Sequence, residues 1–113
     1  MTRTLIVQLQ QERLSDDLLN FAIHQLKQLE SDLELSKAVK FVYGEKDGNY
    51  VNIEFESFDL RRLWDAIKKK LLHDDVVGGL LKKGAIVVCQ GNSCWSDYLM
   101  LYHYDDLTEV DEI

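Results

Sequence analysis

The chain predicts an α+β domain in which two helices cover one face of a five-stranded antiparallel sheet. Three observations lead there. Apolar residues recur at two-residue spacing in some segments and at three- to four-residue spacing in others, the marks of half-buried strands and of amphipathic helices. The two kinds of segment alternate in the order β-α-β-β-α-β-β. The length of 113 residues, with 46% hydrophobic and 29% charged, suits one domain over residues 1–113. A chain of that size buries a core without disulfide or metal staples, and its composition is not that of a disordered chain.

The first strand is Thr4–Gln10, where Leu5, Val7 and Leu9 share one face and Ile6 and Gln8 the other. Leu14-Ser15-Asp16-Asp17 opens a helix. Ser15 caps free amides, the aspartates suit the positive helix end, and Leu14 staples to Leu19. Leu19, Ile23, Leu26, Leu29 and Leu33 follow at helical spacing, widened by Leu18 and Ala22, which carries the helix to about Leu35–Lys37. Val39, Phe41 and Tyr43 alternate, as do Val51, Ile53 and Phe55, with Asp47-Gly48 between them. Glycine tolerates positive φ, so residues 38–57 read as an antiparallel hairpin. Ser57 or Asp59 caps a second helix with the stripe Leu60, Leu63, Trp64, Ile67 and Leu71, and Lys68-Lys69-Lys70 suits its negative end. Residues 73–84 form no clear element beyond a turn broken by Gly78-Gly79. Ala85–Gln90 is apolar on both faces, as a central strand is. Gly91-Asn92-Ser93 turns the chain, and Tyr98–Tyr104 is the last strand. The tail, residues 105–113, carries five acids in nine residues and is expected to fray.

The first six elements match the split βαβ pattern of ferredoxin-like folds. The resemblance is to a fold and not to a family. It implies a two-layer sandwich with strand order 5-4-1-3-2 and both helices on one face. Such domains host many unrelated activities, so the resemblance implies no chemistry.

With both helices on one side, the other side of the sheet is open. Parity puts Leu5, Val7, Leu9, Val39, Phe41, Val51, Ile53, Phe55, Leu99 and Leu101 inward. It puts Ile6, Gln8, Val42, Tyr50, Asn52, Glu54, Glu56, Tyr98, Met100, Tyr102 and Tyr104 outward, four of the five tyrosines among them. Tyrosine is stiff and amphipathic, and binds at low entropic cost. Tyr50, Glu54, Glu56, Tyr98, Met100, Tyr102 and Tyr104, with Trp95 in the preceding loop, are therefore the candidate partner-binding residues. An ordinary half-exposed strand surface is the plainer alternative.

The net charge is −7, which opposes general binding to nucleic acid or to an anionic membrane. The middle strands offer one outward aromatic, Tyr50, beside Glu54 and Glu56, so base stacking on this face is not expected. Arg61–Lys83 holds seven basic and three acidic residues, a local +4. Arg61, Arg62, Lys82 and Lys83 are accordingly the candidates for holding a small anion. No apolar run approaches the roughly 20 residues of a membrane helix. The N-terminus lacks a secretory apolar core of about 7–15 residues, so a cytoplasmic protein with thiol cysteines is expected.

Candidate chemistry is sparse. Cys89-x4-Cys94 with His103 supplies three ligands where structural zinc uses four, and neither metal nor cofactor is expected. His103 with Asp105 or Asp106 is the nearest approach to a catalytic base pair. No G-x-S-x-G elbow and no phosphate-binding G-x-x-x-x-G-K-[ST] loop occurs. The expectation is a non-enzymatic, acidic, cytoplasmic protein-binding domain. It would pair with a second copy or cap a basic partner, as immunity proteins, antitoxins and small inhibitors do. A small-anion regulatory domain comes second and a His/Asp enzyme last.

Overall fold

In the computed structural model the described residues are 3–31, 38–45, 48–71, 84–91, 98–104 and 109–111. They form strand β1 (Arg3–Gln10), helix α1 (Asp16–Lys27), strands β2 (Ala38–Glu45) and β3 (Asn49–Ser57), helix α2 (Leu60–Leu71), and strands β4 (Ala85–Gln90) and β5 (Tyr98–His103). Short 3-10 turns follow β1 at Gln11–Arg13 and α1 at Gln28–Ser31. The five strands make one sheet in the order β2-β3-β1-β4-β5, antiparallel at every pairing. This is the order expected from the sequence, with β2 and β5 at the edges.

Burial follows the strand period. Leu5, Val7 and Leu9 on β1, Val51, Ile53 and Phe55 on β3, and Ala85, Val87 and Cys89 on β4 are all buried. Leu19, Ala22 and Leu26 of α1 and Leu60, Leu63 and Ile67 of α2 join the same cluster. One continuous core with one buried sheet face puts both helices on that face. Val39 and Phe41 of β2 pack half-buried against it, and the Lys27 ammonium of α1 sits 5.1 Å from the Phe41 ring centroid. Fully burying a Val, Leu, Ile or Phe side chain is worth about 1.5–3 kcal/mol.

The helix starts follow local chemistry. The Ser15 hydroxyl accepts from the Leu18 amide at 3.4 Å, and Leu14 and Leu19 are both buried. At α2 both proposed capping residues act. The Asp59 carboxylate accepts from the Arg62 amide at 3.2 Å, and the Ser57 hydroxyl accepts from the Asp59 amide at 3.1 Å. In the β2–β3 hairpin Gly48 has φ of +113°, the left-handed region that favours glycine.

Two expectations are corrected. Helix α1 ends at Lys27 and tightens into the 3-10 turn that keeps Leu29 buried. It does not run as one α-helix to 35–37; residues 32–37 lie outside the described residues.

The second correction concerns β5. Gln90, Cys89 and Val88 oppose Tyr98, Leu99 and Met100, but Val87 opposes Tyr102, so Leu101 is an extra residue. This β-bulge breaks strict alternation. Tyr102, expected on the open face, packs against the core beside buried Leu101. His103, expected to share the inward face with Leu99 and Leu101, comes opposite Ile86 on the open face.

In the tail, residues 109–111 are described. Asp111, in the segment expected to fray, donates its amide to the Met100 carbonyl at 2.6 Å and accepts from the Met100 amide through its carboxylate at 2.8 Å.

Candidate functional site

Register determines which side chains meet on the face the helices leave open. Directly opposed residues share a face. One row across the sheet is therefore Lys40, Glu54, Ile6, Val88 and Met100, in the order β2-β3-β1-β4-β5. The neighbouring row is Val42, Asn52, Gln8, Ile86 and His103. Charge and apolar character separate along these rows. The β2–β3 half carries Lys40, Glu54 and Glu56. The half toward β5 carries Ile6, Ile86, Val88 and Met100, all half-buried, and ends on Tyr98, which is 53% exposed.

The centre of the face is an amide cluster. Gln10 Nε2 donates to Gln8 Oε1 at 2.7 Å. Asn52, opposed to Gln8, keeps its side-chain oxygen buried with no donor. A buried acceptor without a donor costs about 1–3 kcal/mol.

The expected tyrosines have separate fates. Tyr50 lies across β2 with its ring over Gly44, where an added Cβ would run into the ring. Tyr50 thus occupies the space that a glycine opposite it leaves open. With Tyr43, Gly44, Glu45, Asn49 and Gln11 it lines an open cleft of about 530 Å³ at the hairpin end of the sheet. Tyr98 is exposed at the β5 edge. Tyr102 is turned inward by the bulge. Tyr104 stands beyond the sheet end, with the Arg13 guanidinium 4.3 Å from its ring centroid and the His103 ring centroid at 4.5 Å. The structure thus brings Glu54, Glu56, Met100 and Tyr98 onto the face, sets Tyr50 at one corner, and removes Tyr102 and Tyr104 from it. Trp95 lies outside the described residues.

Sequence reasoning missed Lys40, Ile86, Val88, Gln90 and His103 as members of the face. The signal for β4 was present, because the unbroken apolar run Ala85–Cys89 supplies an outer face as well as an inner one. His103 left no such signal.

The other candidate constellations do not assemble among the described residues. Cys89 is buried on the helix side and His103 lies on the open side, so the two cannot share an ion. Among the described residues no cluster of three His, Cys, Asp or Glu side chains could hold a metal. Arg61 and Arg62 are exposed in the first turn of α2. Lys82, Lys83, Cys94, Asp105 and Asp106 lie outside the described residues. Among the described residues no helix is long and apolar enough to cross a membrane.

Comparison with known proteins finds no similar one: no family model, no curated protein and no solved structure matches the chain.

Proposed function

We propose that the protein is a non-enzymatic, acidic, cytoplasmic binding domain of ferredoxin-like architecture that takes another protein on the open face of its sheet. The partner is a second copy or a protein with a basic surface. The observation that carries the reading is the pair of rows on that face. They join an apolar half around Ile6, Ile86, Val88 and Met100 to a charged half where Glu54 opposes Lys40, with Glu56 further along β3. An apolar patch rimmed by polar residues is the anatomy of protein interfaces. The net charge of −7 adds steering toward a basic partner, which acts mainly on the association rate. The ferredoxin-like reading is supported by the element order and by the strand order β2-β3-β1-β4-β5.

The test is Val88→Asp in the full chain, which puts a charge in the apolar row while leaving the core face untouched. Light scattering after size exclusion and affinity capture from native extract are run on both forms, with circular dichroism as a fold control. The expected result is a dimer that Val88→Asp dissociates, or an identified basic protein that Val88→Asp no longer retains. A solitary monomer with no retained partner refutes the reading. So does an assembly indifferent to Val88→Asp.

A further inference from the structure

We propose that the outer edge of β5 is a strand-pairing site for a second copy of this chain, and that Asp111 holds it closed. The inference concerns the edge of the sheet and does not depend on the open-face reading.

β5 is the last strand of the sheet. Both main-chain groups of Met100 are engaged by Asp111, the amide by its carboxylate and the carbonyl by its backbone N–H. In an antiparallel ladder a residue's N–H and C=O point to the same side, and opposed residues alternate between exchanging both bonds and exchanging neither. Met100 therefore presents its pair away from β4, to the open edge. Asp111 imitates one residue of a missing neighbour strand, its carboxylate standing in for a carbonyl. Exposed sheet edges invite pairing with other chains, and proteins blunt them with charge and with bulges. Here Asp111 supplies the charge and Leu101 the bulge.

The edge is complementary to itself. Two copies related by a twofold axis at Met100 would exchange N–H and C=O between their Met100 residues, the isologous geometry of a C2 dimer. Leu99 of each copy would then face Leu101 of the other on the helix-covered side. On the open side the row Ile6, Val88, Met100 would continue through the second Met100 into a row of twice the length. That continuity favours a second copy over an unrelated strand. The bulge limits the matched stretch on the His103 side, so one carboxylate is enough to decide between the closed and paired forms.

The test uses the full chain with Asp111→Ala, compared with wild type and with Asp111→Asn, whose amide oxygen can still accept from Met100. Mass is followed by light scattering over a concentration series, and the Met100 amide by hydrogen exchange. The wild type and Asp111→Asn are expected to protect the Met100 amide at every concentration. Asp111→Ala is expected to lose that protection when dilute. On concentration it should double in mass relative to wild type, with protection restored. Adding Met100→Pro, which removes the edge donor where proline is tolerated, should abolish the doubling.

A Met100 amide already unprotected in wild type overturns the closed edge. Asp111→Ala that stays at wild-type mass overturns the second copy as occupant, as does a doubling that leaves Met100 unprotected. The exchange readout stands if the proline variant does not fold. Failure of the open-face reading would show separately, as indifference to Val88→Asp.

Discussion

Gly44→Ala tests whether Tyr50 is a fixed part of the fold. Gly44 has no positive φ among the described glycines, where only Gly48 does, so its backbone accepts any residue. Alanine should then stabilise the strand by about 0.5–1 kcal/mol through reduced chain entropy. Against this, the new Cβ would lie 2.8 Å from Tyr50 Cε2 and closer still to Cζ and Oη. The ring end can swing aside, but it gives up a cross-strand contact worth about 0.5–1 kcal/mol. It also takes an off-rotamer geometry costing about 0.5–1.5 kcal/mol. The net expectation is a loss of about 1 kcal/mol. In a Tyr50→Ala background the obstacle is gone and the same substitution should gain about 0.5 kcal/mol. The coupling between the two sites is then about 1–2 kcal/mol, well above the ~0.3–0.5 kcal/mol within which independent sites add. Urea unfolding of the four proteins in the cycle measures it, with midpoints followed by tryptophan fluorescence and equal slopes confirming a common unfolded state. Gly44→Ala that destabilises equally in both backgrounds would refute the reasoning.

Asn52→Val removes the buried oxygen that lacks a donor and is expected to stabilise by about 1–2 kcal/mol. Thermal unfolding reads this as an upward shift of roughly 4–8 °C per kcal/mol in a small domain, and a lower melting temperature would mean the oxygen has a partner in solution. Gly84→Ala would place a Cβ 2.9 Å from Arg13 Cβ and 3.2 Å from Leu14 Cγ. Neither neighbour is a free side-chain end, so a loss of about 1–3 kcal/mol is expected in denaturant titration, and an unchanged midpoint would show that the 3-10 turn does not pack there.

The strands and helices were legible wherever a single period dominated. Leu5-Val7-Leu9, Val51-Ile53-Phe55 and Leu60-Leu63-Ile67 each declare one buried face, and seven such segments in that order leave few ways to close a sheet. The candidate face was legible on β1 and β3 for the same reason, because inward and outward residues differ in polarity there. On β5 they do not. Leu99, Met100, Leu101 and Tyr102 are all apolar or amphipathic, so an extra residue leaves no trace in the pattern and the positions after it are misassigned. The Asp111 contact was hidden for another reason. It joins a carboxylate and an amide to main-chain groups 11 residues away, and neither end is marked by residue periodicity. The end of α1 was hidden because Leu29 satisfies α-helical and 3-10 spacing alike.

The single inserted residue at Leu101 has a genetic consequence. Deleting that one codon would restore simple alternation to the last strand and leave Tyr102 opposite Val87 and His103 opposite Ile86. No later side chain would change sides. What the insertion adds is a second consecutive inward side chain, Leu101 beside Tyr102. Length variation at this position therefore alters how one rim is filled from within and leaves its solvent-facing character as it is.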